Sequence, residues 1–202
     1  MPWKWHFCPS GKRPPCWTSI VAPATPFDYV GLFNSAERID DPVLVIEHHF
    51  LYQTEGELPD DRDYCVELGK AKIARQGSDL TIVAYSYMVR KAMDAASTLE
   101  HEGISAEVID LRSVDYPSID YAAIGASLAK SGRLLIAEEG MIAGGLGAEI
   151  ACEVQRRFFD LLDAEIERVA GPSLVMAVSS AVEARMVPSA DDVAARARSM
   201  VP

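Results

Sequence analysis

From residue 68 onward, short apolar runs and amphipathic stretches alternate with only a few residues left for each connection. Residues 80–85 (LTIVAY) read as a buried strand, 88–102 as a helix closed by Gly103, and 106–111 (AEVIDL) as a second strand. Ser118 is the expected N-cap of a helix that runs to Lys130 and ends at Gly132, and a third strand follows at 133–137. A long helix over 147–162 places Ile150, Val154, Phe158 and Leu161 on one face; 166–170 is a fourth strand, and Ser189 with Asp192 opens a last helix. Strands joined through helices cannot pair as hairpins. The order therefore requires a mostly parallel sheet covered on both faces, a three-layer α/β/α fold.

Before residue 68 the pattern differs. Residues 1–20 hold all three tryptophans and four prolines with no helical or strand period, and are expected to form an atypical, unstructured leader. A misreading of the gene upstream is favoured over an exotic leader. Thr25 is an N-cap, Pro26 suits the first helical position and Asp28 lies three residues beyond the cap, so a helix is expected to about Arg38, stopped by Asp40-Asp41-Pro42. Residues 43–47 (VLVIE) then form a buried strand ending in an acid. The polar stretch 53–63 reads as a surface linker and places a domain boundary, giving one unit over 21–63 and a second over 64–202.

The net charge of −11 is uneven: residues 1–20 carry Lys4, Lys12 and Arg13 and no acid, so removing those three leaves −14 on the remainder. Such a body repels phosphate backbones, which excludes nucleic acid and favours a basic protein partner. No apolar run approaches the ~18–20 residues that cross a bilayer, and there is no signal-type apolar core near the N-terminus, so a cytoplasmic location is expected. Cysteines at 8, 16, 65 and 152 lack paired spacing, which argues for reduced thiols. His6, Cys8 and Cys16 supply three zinc-type ligands but no fourth, so zinc is not favoured.

The candidate chemistry gathers at strand ends. Residues 133–150 (RLLIAEEGMIAGGLGAEI) join an apolar run, two acids, a glycine-rich turn and a helix start, the order found where doubly wound folds place their sites. Gly144, Gly145 and Gly147 either aim backbone N–H groups at an anion or let the helix pack close. The second reading is favoured, because GxGxxG spacing is absent. Glu138 and Glu139 are expected to be solvated rim charges rather than an acid/base pair. In Glu47-His48-His49, neighbouring histidines on a strand would face opposite ways, so at most one could serve a site. Ser86 lacks the GxSxG turn of a hydrolase nucleophile, and His101 reads as a charge partner for a helix C-terminus.

The blocks VAPATPFDYVGLFNSAERIDDPVLVIEHHFLY, LGKAKIARQGSDLTIVAYSYMV, EVIDLRSV, LLIAEEG, GGLGAEI and ERVAGP together resemble the beta subunit of thiamine-diphosphate-dependent 2-oxo acid dehydrogenase E1 components, over about residues 20–201. That family includes pyruvate, branched-chain 2-oxo acid and acetoin dehydrogenases. The resemblance implies a transketolase C-terminal-domain-like fold preceded by a remnant of the pyrimidine-binding α/β domain. It implies thiamine diphosphate with Mg²⁺ in the intact complex, and as partners an E1 alpha subunit, a second beta subunit and the basic subunit-binding domain of E2.

The family's activating glutamate and stacking aromatic precede Ile20. No catalytic or cofactor-binding residue is therefore carried over, and the chain alone is expected to be inactive. Two sites are carried over. Backbone carbonyls at Ala36, Glu37, Ile39 and Asp41 match a structural K⁺ site, with the hard oxygen donors such a cation takes. Asp163, with Glu167 nearby, matches the acidic E2-docking position, where charge sets orientation and on-rate. The competing readings are a non-catalytic dimerisation or regulatory module and a small-molecule binder using the glycine-rich edge. The exposed face of the remnant predicts poor solubility without a partner.

Overall fold

The computed structural model describes residues 18–174 and 186–201. The zinc-type residues His6, Cys8 and Cys16 lie outside them. Two sheets are present among the described residues. A five-stranded sheet has the order β3 (Lys72–Arg75), β5 (Ala106–Asp110), β4 (Leu80–Ala84), β6 (Leu134–Met141), β7 (Glu167–Gly171), all parallel except β3. A smaller parallel pair joins β1 (Ser19–Val21) to β2 (Val43–Val45). β1 takes in Ser19 and Ile20, two residues expected to be leader.

β4 is buried along its whole length, as a central parallel strand must be. Its alternation divides the core. Leu80, Ile82 and Ala84 face α2 (Tyr87–His101), whose Ala92, Ala95 and Ala96 admit Val193, Ala194 and Ala197 of the last helix, α5 (Ala190–Met200). Val83 faces the other layer, with Ile124 and Leu128 of α3 (Tyr121–Ser131) and Ile150 and Val154 of α4 (Leu146–Phe158). The three-layer α/β/α expectation therefore holds. Thr81, on that second face, finds Ser127 Oγ at 2.6 Å and Ser131 Oγ at 2.7 Å, so these three hydroxyls satisfy one another.

Local signals were accurate at several ends. Gly132 takes the left-handed conformation at the end of α3, Gly103 follows α2 with φ +84°, and Ser189 with Asp192 forms a reciprocal capping box. Thr25 Oγ1 accepts the Asp28 N–H at the start of α1 (Pro26–Ala36). Others need correction. Asp120, not Ser118, caps α3, accepting the Ala123 N–H at 3.1 Å, while Ser118 closes a preceding 3-10 turn by donating to Asp115. The long helix over 147–162 ends at Phe158 and tightens into a 3-10 turn, leaving Leu161 exposed. β2 is not a buried strand: Val43 and Val45 pack inward beside Val21 and Leu32, while Leu44 and Ile46 are exposed. Neither edge strand β1 nor β3 was expected.

The segment after the polar stretch clamps α1. Tyr64 stacks on Phe27 at 4.7 Å, Val66 N donates to Gly31 O at 2.9 Å and Ser35 Oγ donates to Val66 O at 2.6 Å. A Cβ at Gly31 would lie 2.4 Å from Val66 Cγ2, so the close approach depends on glycine. No helix among the described residues is long and apolar enough to cross a membrane.

Candidate functional site at the sheet edge

β6 does not stop at Ala137. It carries Glu138, Glu139 and Gly140 onward to Met141, with a break in register against β7 between Ala137 and Met141. Alternation then sends the two acids to opposite sides. Glu138 is 0% exposed. Its Oε1 accepts from Arg168 Nη2 at 2.6 Å and its Oε2 from the Gly147 N–H at 2.9 Å, with the Tyr85 hydroxyl donating at 3.5 Å. The expected rim charge is in fact a sealed ion pair. Burial first, then the charge of Glu138, pushes the Tyr85 phenol well above its ordinary value.

This carboxylate explains the glycine-rich turn. Gly145, which caps α4, has no side chain to offer the free N–H groups of the first turn, and Glu138 supplies the acceptor and the negative charge that a helix start favours. A Cβ at Gly147 would sit 2.3 Å from Glu138 Oε1, and one at Gly145 would sit 2.3 Å from the Met141 carbonyl oxygen. The glycines do serve packing. What they pack around is an internal anion, so the edge is occupied by the chain's own acid.

Glu139 faces the β1–β2 unit, and its Oε2 lies 2.9 Å from His48 Nε2. His48 and His49 sit at a 3-10 turn (His49–Leu51), not on a strand, and their rings stack at 5.5 Å instead of pointing apart. His48 also stacks on Tyr87 at 4.8 Å, and its Nδ1 accepts the Phe50 N–H at 3.3 Å. With Nδ1 accepting and Nε2 directed at a carboxylate, neither ring nitrogen of His48 is free for base catalysis or metal ligation.

At the carboxyl ends of β1 and β2 lies a cavity of about 370 Å³ lined by Pro23, Thr25, Tyr29, Glu47, His48 and Leu51 among others. The Tyr29 and Tyr52 hydroxyls donate to Glu47 and hold its carboxyl below the usual range. Ser86, which precedes α2, adopts φ +51° and is buried, and its Oγ has no hydrogen-bond partner among the described residues. That backbone is costly for a residue with a Cβ. No histidine bonds its hydroxyl, so a serine triad is not assembled. His101 does end α2, as expected.

The residues carried over by resemblance are placed as follows. Ala36 ends α1, and the turn beyond it exposes Glu37 and Ile39; Ala36 O accepts weakly from Ile39 N at 3.4 Å. Asp41 lies in the same turn. Asp163 is exposed after α4, with its N–H donating to Gly132 O at 2.8 Å. Glu167 opens β7 and lies 3.6 Å from Arg196 of α5, whereas Asp163 packs beside the end of α3, so the two lean toward different layers. Among the described residues no group of three or more His, Cys, Asp or Glu is arranged to hold a metal ion. Glu138 and Glu139 are both already partnered within the chain.

Sequence reasoning missed the partners that give these acids their meaning: Arg168 and Tyr85 around Glu138, and the buried Asp28 and Asp110 bridged by the half-buried Arg112 where α1 meets β5. Arg112 donates through Nη2 to Asp28 Oδ1, and Asp110 accepts the Arg112 N–H at 3.0 Å. The acid closing the apolar run 106–111 was the available signal.

A parallel five-stranded sheet with one antiparallel edge, helices on both faces and an acid-filled glycine turn defines the class: the chain belongs to the transketolase C-terminal domain family, whose description matches residues 69–193. Over nearly its whole length it is similar to pyruvate dehydrogenase E1 component subunit beta. The Bacillus subtilis protein is 40% identical over 182 residues, covering 90% of this chain and 55% of that protein. The acetoin:2,6-dichlorophenolindophenol oxidoreductase subunit beta of Cupriavidus necator is 38% identical over 89% of this chain and 52% of its own. The 2-oxoisovalerate dehydrogenase subunit beta of Bacillus subtilis is 42% identical over 77% and 47%. The chain thus spans about half the length of the curated relatives it matches. Among solved structures, a split gene transketolase described as an inactive beta4 tetramer superposes with TM-score 0.71 at 25% identity, covering 91% of this chain and 57% of that one. A transketolase from Pichia stipitis shares the fold alone, with TM-score 0.61 at 20% identity, 91% of this chain and 25% of that one.

Proposed function

We propose that this chain serves as part of the beta subunit of a thiamine-diphosphate-dependent 2-oxo acid dehydrogenase E1 component, of the pyruvate dehydrogenase type, in the cytoplasm. The observation that carries this reading is the extent of the similarity, which runs through both units and the seam between them rather than through the family domain alone. In this role the chain contributes assembly with an alpha subunit and a second beta subunit into a heterotetramer. The cofactor and its Mg²⁺ are held by parts of the complex other than the described residues. The exposed Leu44, Ile46, Phe50 and Tyr52 on the β1–β2 unit support an obligate neighbour, since a parallel sheet with a bare apolar face needs a covering layer. The test is co-expression with an alpha subunit, followed by size-exclusion chromatography. Co-elution and a gain in solubility are expected, and a chain equally soluble and monomeric in both cases would overturn the reading.

Two finer assignments belong to the same proposal. Asp163, with Glu167 nearby, docks the basic subunit-binding domain of E2 through charge. Asp163→Lys is expected to weaken E2 capture at least tenfold by surface plasmon resonance while leaving the fold intact, because Asp163 is exposed. The carbonyls at Ala36, Glu37 and Ile39, with Asp41, form one wall of a K⁺ site. Replacing K⁺ by tetramethylammonium at constant ionic strength is expected to lower Tm by a few degrees, and an unchanged Tm would remove the site. The inactive beta4 tetramer among the structural neighbours favours a second reading, a non-catalytic self-assembling module. A homotetramer formed in the presence of excess alpha subunit would select it.

A further inference from the structure

Asp28 of α1 and Asp110 at the end of β5 are both buried, and their charges oppose each other across the seam between the β1–α1–β2 unit and the five-stranded sheet. Arg112 serves both, its guanidinium bonded to Asp28 and its backbone N–H to Asp110. It does so under strain, with φ +58° and a buried Nε that has no hydrogen-bond partner among the described residues. Lys72 of β3, opposite Asp110 in the register, is the second cation facing the pair, and the Tyr64 phenol faces Asp28 from the segment after the polar stretch. The same loop holds the small unit by backbone: Ala22 N donates to Arg112 O at 2.8 Å and Val114 N to Ile20 O at 2.9 Å.

We propose that this cluster is a proton-operated latch between the two units, closed when Asp110 is protonated and weakened when Asp110 ionises beside Asp28. Burial first, and then the charge of Asp28, pushes the Asp110 carboxyl up to about 7, only partly offset by Arg112 and Lys72. A carboxyl raised in the closed state favours closure most at low pH. Closure then falls by about tenfold per pH unit between about pH 4 and pH 7 and levels above 7. The latch reaches the cavity at the ends of β1 and β2, because Thr25, which lines that cavity, donates through its hydroxyl to Asp28 Oδ2 at 2.6 Å.

Hydrogen exchange by mass spectrometry on the full chain from pH 5 to 8, corrected for intrinsic rates, tests this. Protection of peptides from β1 and α1 is expected to fall several tens-fold between pH 5 and 7 and then flatten, while peptides from α2 and α3 hold steady. Asp110→Asn is expected to abolish that slope and keep protection high at pH 8. Lys72→Gln, which removes a facing cation at the sheet edge, is expected to move the levelling point upward. A flat wild-type profile, an equal slope in α2 and α3, or a slope that survives Asp110→Asn would each overturn the latch. The wild-type profile decides even where a variant fails to fold.

Discussion

Glu138→Ala is expected to lower the unfolding free energy by about 3–5 kcal/mol, the cost of breaking a buried ion pair from one side. The loss has three parts. Arg168, whose side chain is 16% exposed, keeps its charge and loses its counter-ion. The Gly147 N–H at the start of α4 loses its acceptor. The Tyr85 hydroxyl loses a weaker one. Glu138→Gln retains an acceptor but not the charge, so an intermediate loss is expected from urea denaturation monitored by circular dichroism. The cradle itself is tested by a double-mutant cycle. Gly147→Ala alone places a methyl 2.3 Å from Glu138 Oε1 and should cost about 1–3 kcal/mol by overpacking. With Glu138 already alanine that methyl has room, so the two losses should fall short of additivity by about 1 kcal/mol or more. Strict additivity would show that the glycine turn is not shaped around the carboxylate.

The same residues show what a sequence can and cannot display. Features decided within a few residues were legible: Gly132 at a helix end, the Ser189–Asp192 capping box, and the apolar runs that became β4, β5 and β6. The fate of Glu138 was not, because it depends on an arginine thirty residues further along that arrives only when β7 pairs with β6. Likewise the partnership of Arg112 with Asp28 spans 84 residues and two sheets. Ser118 and Asp120 are both good caps locally. Asp120 is also fixed from outside, since its carboxylate accepts the Ala71 N–H at 3.3 Å, and that distant contact accompanies its place as the cap. β3 escaped notice because an antiparallel edge strand of four residues with an irregular register leaves little periodicity to read. The family resemblance was readable because it rests on many ordered blocks. The site was not, because at this sheet edge the acids are consumed by partners that only the fold supplies.

Asp110→Asn is expected to stabilise the protein above pH 7 and to do little near pH 4. Asp110 is 1% exposed, and its carboxyl rises from 3.8 to about 7 through burial and the charge of Asp28. For an acid raised on folding, the unfolded chain releases the proton first, so ionisation opposes the folded state progressively from about pH 4 up to about pH 7. The penalty is then constant at higher pH. So large a rise sets a ceiling of about 4 kcal/mol, and a realised gain of about 2–4 kcal/mol is expected. Asparagine is nearly isosteric, keeps an oxygen to accept the Arg112 N–H, and offers an amide toward the Asp28 carboxylate. Glu153 tilts the curve the other way: Arg156 and Arg157 hold its carboxyl down at about 2, so what it contributes is lost as pH falls from about 4.5 through about 2. That window only touches the lower edge of the one where Asp110 titrates, and Glu153 is common to both proteins, so it cancels in their difference. Urea denaturation of wild type and Asp110→Asn at half-unit intervals from pH 4 to 8 therefore isolates the aspartate: the difference curve should climb from near zero and flatten at about pH 7. A difference that stays level across the range would mean that Asp110 ionises as freely in the folded chain as in the unfolded one.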